Sequence, residues 1–307
     1  MEACSLLTLI TRIECVLTNT KSIHVSFAKW LRELDLTSTV PGLASSNTSK
    51  IMPPKVPTPK LTHFLCLPLV TSASKPQLQK SVGEFRQAIT NKSTAENPDG
   101  IPVRAIRPVG TLHLTLGVMS LLTPERLEGA MACLSSLDIG ALLQRFKKAP
   151  EGQVTGDDGG KLIKSTQAAP CITLRGLKSM QSPASTSILY SAPEDPDGSL
   201  QALCQAIRDK FIQDGWVIFE NRPLLLHATV LNTVYVPAVR RESGRDGHRS
   251  KKSKLVIDAR TLLEDWVDFE WMRDVKVENV AICRMGAQRV EGEDDEEYVV
   301  EGSLTIP

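Results

Sequence analysis

The sequence predicts an α+β fold for about residues 60–307. Two observations predict it: apolar runs of strand length alternate with segments of helical periodicity, and the order strand, helix, strand occurs twice. With 307 residues, 41% of them hydrophobic, the chain can bury a sizeable core. The formal net charge of +1 gives no global reason for binding to nucleic acid or to a membrane. Any electrostatic recognition must therefore be local.

Local patterns predict the elements one after another. Continuous apolar runs predict strands, and apolar residues three and four positions apart predict helices. The patterns give, in order, a strand at 62–70, a helix at 75–89, a strand at 111–119, a helix at 123–143, strands at 171–177 and 186–191, a helix at 199–213, a strand at 224–236, a short helix at 258–266, and strands at 275–284 and 297–306. The acidic run between the last two strands, Glu291–Glu297, is interpreted as a solvated turn.

Residues 1–59 form a predicted N-terminal extension that is largely disordered, and residues 60–307 form the predicted domain. Four prolines crowd positions 53–59 in a stretch rich in Ser, Thr and Lys, a composition that favours extended backbone. Apolar residues at helical spacing over 4–17 indicate a short helix, which either packs on the domain or binds a protein partner.

A basic loop is predicted at residues 238–254. Seven arginine and lysine residues stand against two acidic ones between Arg240 and Lys254. Such runs are commonly solvated and mobile, but clustered cations of this kind also suit a nucleic-acid backbone. Both interpretations stay open.

Composition and motifs exclude several classes of protein. The seven cysteines are odd in number and contain no C-x-x-C pair, so neither a disulfide framework nor a cysteine zinc site is indicated. No apolar run reaches membrane-spanning length, and no secretory signal is evident. P-loop, dinucleotide and hydrolase-elbow motifs are absent from the sequence. We expect a monomeric intracellular protein, in the cytoplasm, the nucleus or both, without membrane attachment.

Two short motifs carry the chemical information. Leu112–Leu116 reads LHLTL and Leu226–Val230 reads LHATV, each a histidine, an apolar residue, a threonine and an apolar residue inside a predicted strand. Because side chains alternate along a strand, each histidine shares a face with the threonine two positions on, while the apolar residues face a core. A lone histidine of this kind is more often structural; two copies of the motif favour function.

The paired motifs suit the cleavage of a phosphodiester. That reaction needs a base for the attacking oxygen, an acid for the leaving oxygen, and hydrogen-bond donors for the phosphoryl oxygens. His113 and His227 could serve as the acid and base near neutral pH, and Thr115 and Thr229 as the donors. This chemistry requires no metal and no cofactor.

Paired H-Φ-[ST]-Φ motifs, where Φ is apolar, resemble those of the two-histidine (2H) phosphoesterase superfamily. The segments THFLCLPLV, RPVGTLHLTLGVM and LLLHATVLNT are most similar to the phosphoesterase-like (2′-5′ RNA ligase-like) domain of A-kinase anchoring proteins. The next most similar domain is the C-terminal domain of an activating signal cointegrator subunit. The resemblance covers about residues 60–307 and implies a LigT-like fold: two pseudo-symmetric lobes of small β-sheets, flanked by helices, around a central cleft. It also implies that His113, Thr115, His227 and Thr229 are catalytic.

Five further residues are candidates for contact with the substrate. Arg104 and Arg107 precede the first motif strand and Arg222 precedes the second, where a guanidinium could meet phosphate. Tyr235 and Phe64 could stack on a base, although both also fit simple sheet positions.

Two hypotheses of function follow. The first is a metal-independent phosphoesterase acting on 2′,3′-cyclic or 2′,5′-linked nucleotide or RNA phosphates. The alternative is a noncatalytic nucleotide- or RNA-binding module in a transcription- or signalling-related assembly. Neither the physiological substrate nor the division of acid and base roles between the histidines follows from the sequence.

Overall fold

A computed structural model describes residues 59–90, 92–146, 169–237 and 254–307. The predicted helix at 4–17, and with it all but the last residue of the N-terminal extension, lies outside the described residues. So does the basic loop up to residue 253. The predictions for these segments stay predictions.

The described elements alternate between strands and helices. In chain order they are β1 (His63–Pro68), α1 (Lys75–Ile89), β2 (His113–Met119), α2 (Pro124–Ser135), α3 (Ile139–Phe146), β3 (Cys171–Ser179), β4 (Ile188–Pro193), α4 (Ser199–Gln213), β5 (Ala228–Asn232), α5 (Arg260–Asp265), β6 (Glu270–Lys276), β7 (Asn279–Arg284), β8 (Gln288–Arg289), β9 (Glu296–Glu297) and β10 (Val300–Thr305). Short 3₁₀ turns occupy Val103–Ala105, Val109–Thr111 and Thr233–Tyr235.

Eight strands form one antiparallel sheet in the order β10-β7-β1-β2-β5-β4-β3-β6. The order reads as two halves of four strands that meet at β2 and β5. In each half a helix connects the innermost two strands, α1 between β1 and β2 and α4 between β4 and β5. The predicted α+β fold with two pseudo-symmetric lobes is confirmed, with the lobes continuous as a single sheet.

Helix α1 forms where its sequence favours a helix and buries one face. Proline stands in its first turn, and Leu78, Val82, Phe85 and Ile89 recur at helical spacing and are buried. The ring of Phe85 meets that of Trp271 on β6 edge to face, with centroids 5.1 Å apart. Because β6 is the outermost strand of the opposite half, α1 packs across the two halves.

Strand β2 divides its side chains as the motif predicts. Leu112, Leu114 and Leu116 are buried in the main core, while the side chains at positions 113 and 115 are half-buried. On the opposite face of β1, Phe64 and Cys66 form a smaller apolar cluster with neighbours on β7. One face of the central strands is therefore core, and the other is free to carry a site.

Four sequence predictions of local structure are wrong in detail. The helix predicted at 123–143 is two helices, because Asp138 accepts the amide hydrogen of Ala141 at 2.8 Å and caps a second one. Within the range 224–236, which was predicted to be one strand, only Ala228–Asn232 forms a strand, β5. The strand predicted at 275–284 covers β7 and the last two residues of β6, most of which was missed. The acidic run Glu291–Glu297 is not simply solvated, because Asp295 holds it against the turn before β2.

In the described ranges, no helix combines the length and apolar character that crossing a bilayer requires.

Candidate active-site cleft

The two motif strands lie side by side at the centre of the sheet. Leu114 of β2 is the register partner of Ala228 of β5, and the strands are antiparallel. Antiparallel pairing then sets His113 opposite Thr229 and Thr115 opposite His227, all four on the face away from the core. Directly opposed residues have Cβ atoms about 5 Å apart, and diagonal ones are about 7–8 Å apart. The two histidines therefore occupy diagonal corners of a compact square.

His113 is held by hydrogen bonds to both ring nitrogens. Its Nδ1 lies 2.7 Å from the carbonyl oxygen of Thr111, which can only accept, so Nδ1 carries the hydrogen. Its Nε2 lies 3.0 Å from Oγ1 of Thr115 and therefore accepts the hydroxyl hydrogen in the neutral ring. Nε2, the basic nitrogen of His113, thus points along the strand towards Thr115.

His227 repeats the same backbone contact. Its Nδ1 donates to the carbonyl oxygen of Leu225 at 2.8 Å, again two residues upstream. Since His227 immediately precedes β5, the contact fixes a ring that the strand itself does not hold. The ring packs edge to face against Tyr190 with centroids 5.5 Å apart and remains partly open to solvent. In both motifs Nε2 is the nitrogen left for chemistry.

The surroundings of His113 favour the neutral imidazole. Phe64 lies against its ring with centroids 4.7 Å apart, and Tyr298 meets it edge to face at 5.4 Å. Loss of hydration, together with the charges of His227 and Arg107, lowers the pKa of His113 to about 4, although the hydrogen bond that the ring donates to the carbonyl oxygen of Thr111 acts in the opposite direction. His113 is therefore a proton acceptor at neutral pH.

Arg107 brings a positive charge into the cleft without a carboxylate to balance it. Its side chain is 5% exposed, and its guanidinium carbon lies 3.9 Å from the ring centroid of Tyr235. Its Nη2 donates to the hydroxyl of Tyr298 at 3.3 Å. Across the described residues it forms no salt bridge. A buried, unpaired guanidinium beside two hydroxyl groups suits an anion such as phosphate.

A cavity of about 300 Å³ joins these groups. It is lined by residues of both motifs and by Arg107, and the lining comprises Phe64, Arg107, Thr111, His113, Thr115, Val118, Thr229, Asn232, Tyr235, Met285, Gly286 and Tyr298. His227 does not line this cavity, although the register sets it opposite Thr115, which does. The structure thus brings most of the proposed site residues to one place.

Two of the predicted substrate-binding residues lie elsewhere. Arg104 is exposed and lines an adjoining cavity instead. Arg222 donates twice to Glu220, at 2.8 and 3.0 Å, and contributes to none of the cavities described here. Its charge is already paired two residues away.

Sequence reasoning missed Tyr298 and Asn232. Tyr298 follows the acidic hairpin, far along the chain from either motif, and reaches His113 only because β10 and β7 pair beside β1. Desolvation raises the pKa of Tyr298 to about 12, so its hydroxyl stays protonated and able to donate. No local signal marked this residue.

Among the residues that the structure describes, no three His, Cys, Asp or Glu side chains are grouped as a metal site would require. The expectation of a metal-free reaction stays a prediction.

Comparison with known proteins decides the family. The model of the AKAP7 2′5′ RNA ligase-like domain matches residues 61–306. The chain belongs to this family. The resemblance to 2H phosphoesterases inferred from the paired motifs is thereby confirmed, and so is the choice of the A-kinase anchoring branch.

A curated relative matches about two thirds of this AKAP7-type chain. The mouse activating signal cointegrator 1 complex subunit 1 is 26% identical over 217 residues, which is 68% of this chain. The match spans 54% of the relative's own length, about half of that protein.

Solved structures with a similar fold cover most of the chain at low identity. A LigT of E. coli complexed with 3′-AMP is 15% identical, with a TM-score of 0.41, and the match covers 80% of this chain and 98% of that one. The Usb1 of Kluyveromyces marxianus is 13% identical, with a TM-score of 0.31 and coverages of 80% and 97%. Family membership rests on the match to the AKAP7 domain rather than on these likenesses.

Proposed function

We propose that the chain is a metal-independent phosphoesterase that cleaves 2′,3′-cyclic or 2′,5′-linked phosphates of nucleotides or RNA through His113 and His227. The observation that carries the proposal is the register of β2 and β5, which sets the two histidines and two threonines in one square on the open face of the sheet. Membership of a 2′5′ RNA ligase-like domain family supports the substrate class.

The two histidines take different roles in this proposal. His113 is enclosed by Phe64 and Tyr298, and its Nε2 already accepts a hydrogen bond from Thr115. A ring held in this neutral form suits the base that removes a proton from the attacking oxygen. His227, which contacts the single ring of Tyr190 and is held only through Nδ1, is then the acid that protonates the leaving oxygen.

The charge that develops on the phosphoryl oxygens is met by two kinds of donor. The hydroxyl groups of Thr115 and Thr229 lie on the same face as the histidines, and Arg107 supplies a positive charge in the cavity that both threonines line. Arg107 and Thr229 can stabilise such charge without having to reorganise, whereas the hydroxyl hydrogen of Thr115 is released from Nε2 of His113 once that nitrogen takes up a proton. The proposed mechanism needs no further group.

A turnover assay with EDTA present tests this function. The panel is a set of 2′,3′-cyclic nucleotides and 2′,5′-linked oligonucleotides, with wild type compared against a His113→Ala, His227→Ala double variant. His63→Gln is a matched control, because His63 is a buried histidine of β1 that contacts Thr62 and Glu301 outside the cavity. We expect turnover by wild type and by the control alone. Turnover that persists in a folded double variant would refute the proposal.

The second candidate is a noncatalytic nucleotide- or RNA-binding module. Arg107 favours it, because a buried unpaired guanidinium stacked on Tyr235 binds a phosphate whether or not the histidines act. Calorimetry with a nucleoside 5′-monophosphate distinguishes the two. Binding that Arg107→Ala abolishes, together with no turnover of any diester, supports the binding module.

A further inference from the structure

A second cavity of about 490 Å³ adjoins the candidate active site. The two cavities share Arg107 and Tyr235, so the stacked pair forms the wall between them and faces both. A ligand that spans this pair would therefore contact both cavities. We refer to the second cavity as the arginine cavity, after Arg86, Arg104, Arg107 and Arg289 in its lining.

Two of these arginines have no partner for their charge. Arg104 and Arg289 are exposed, and within the described ranges neither has a carboxylate oxygen within 4.0 Å. Arg86, by contrast, lies 4.0 Å from Asp294. The cavity thus offers two free cations in addition to the one at the wall.

Within the described ranges, the acidic residues of the same lining form no ion pair with Arg104 or Arg289, and four arginines against three carboxylates leave the lining with a net charge of +1. Both carboxylate oxygens of Asp295 accept the amide hydrogen of Gly110, at 3.0 and 3.1 Å, and one also accepts that of Glu296 at 2.9 Å. Asp294 is 94% exposed at its side chain and faces Arg86. Glu296 stands opposite Arg289 in the β8–β9 ladder without forming an ion pair. Asp295 therefore binds backbone amides of the hairpin and of the turn before β2, and Asp294 lies near Arg86 of α1.

We propose that the arginine cavity is a second phosphate subsite, so that the preferred substrate is a single-stranded oligonucleotide rather than a cyclic mononucleotide. Arg104 and Arg289 hold the phosphate next to the one that reacts at His113. Arg107, between the cavities, contacts the strand on both sides. This inference rests on the proposed function and specifies its substrate.

A pair of substrates with the same reacting group tests the subsite. One is a 2′,3′-cyclic mononucleotide, and the other is an oligonucleotide of about four residues ending in the same cyclic phosphate. For an Arg104→Ala, Arg289→Ala double variant we expect kcat/KM for the oligonucleotide to fall about tenfold, through KM, because at least one phosphate loses its cations. Turnover of the mononucleotide should change less than about twofold.

Arg145→Ala is the matched control, because Arg145 is an exposed arginine on α3 that lines neither cavity. It should leave both substrates unchanged. Equal losses for the two substrates in the double variant, or equal losses in the double variant and the control, would overturn the subsite.

The salt dependence of binding provides a readout that does not need turnover. A noncleavable oligonucleotide is titrated by fluorescence anisotropy over a range of salt concentrations. The titration compares wild type with the Arg104→Ala, Arg289→Ala double variant. Because the variant loses one phosphate contact, its slope of log K against log salt should be less steep by about 0.7. An unchanged slope would overturn the subsite even in an active enzyme. A reduced slope in a protein that turns over neither substrate would retain the subsite and refute the phosphoesterase.

Discussion

At the scale of single residues, the two histidines share one backbone contact and differ in their surroundings. Each donates from Nδ1 to the carbonyl oxygen two residues upstream, which orients Nε2 in the same way. His113 is packed between two aromatic rings, whereas His227 contacts the single ring of Tyr190. The repeated motif in the sequence predicts the similarity but gives no sign of the difference, because the rings around His113 belong to residues far from it in the chain, Phe64 and Tyr298.

The low pKa of His113 makes stability depend on pH in a defined direction. The folded pKa is about 4 and the unfolded value is about 6.5, so the unfolded chain binds the proton first as pH falls. Stability that is present above about pH 6.5 is therefore lost towards pH 4. We expect a loss of about 2–3 kcal/mol from this group over that range, because each unit of difference between the folded and unfolded pKa is worth about 1.4 kcal/mol.

Urea unfolding of wild type and His113→Asn at several pH values measures this contribution. The difference between the two proteins should change by that amount between about pH 6.5 and 4, and titration of the ring by NMR should give a midpoint near 4. A midpoint near the ordinary histidine value would contradict our description of the site.

The threonine hydroxyls should act on the reaction rather than on substrate affinity. We expect Thr115→Val and Thr229→Val each to lower kcat by about 10- to 100-fold with little change in KM, because a donor to the developing charge is lost. Thr115→Ser and Thr229→Ser keep the hydroxyl and should restore most of the rate. Valine variants with normal kcat would exclude the hydroxyl groups from the reaction.

At the scale of elements, the acidic hairpin supports the start of the first motif strand. Asp295 accepts the amide hydrogen of Gly110, directly before Thr111, whose carbonyl oxygen orients His113. A Cβ added at Gly110 would lie 2.5 Å from the backbone oxygen of Glu296. The hairpin therefore fits closely against this turn, an arrangement that the run of acidic letters did not indicate.

Removal of the Asp295 carboxylate should test this support. We expect Asp295→Ala to lower the free energy of unfolding by about 1–3 kcal/mol, because two amide hydrogens lose their acceptor. Urea denaturation measures the change. Asp294→Ala is the control, since that side chain is 94% exposed and should change stability by less than about 0.5 kcal/mol. Equal effects of the two substitutions would show that the hairpin gives no specific support.

Helices were easier to predict than strands, for a physical reason. The bounds of α1 and α4 follow from uninterrupted helical spacing within each segment. β6, in contrast, owes its place to pairing with β3, almost a hundred residues earlier, and to Trp271 packing under α1. Contacts of that kind depend on the whole chain and leave little trace in a local pattern.

At the scale of the whole molecule, the two halves are joined more by helices than by the sheet. The ladder between β2 and β5 has a single register pair, Leu114 with Ala228. Helix α1 adds a hydrogen bond from Ser81 to the carbonyl oxygen of Trp271, at 2.8 Å, across the halves. A short junction leaves room on the open face for the cleft, while the crossing helix keeps the two motifs together.

Family membership and the α+β architecture could both be inferred from the sequence, because two copies of one motif mark the strands that meet. The arrangement of the cleft could not. Arg107 was a candidate on position alone, but its stacking on Tyr235 and its bond to Tyr298 depend on a 3₁₀ turn and on the segment between β9 and β10, both far from it in the chain. The phosphoesterase activity itself stays a proposal that rests on the geometry of His113 and His227.

The most direct test of this account is the metal-free rate of diester cleavage by wild type, by His113→Ala and His227→Ala singly, and by the double variant. We predict that each single substitution lowers kcat by about 10²–10⁴-fold and that the double variant loses little more, because acid and base act as a unit. Full activity in any of these variants, or loss of wild-type activity on addition of EDTA, would contradict the two-histidine mechanism.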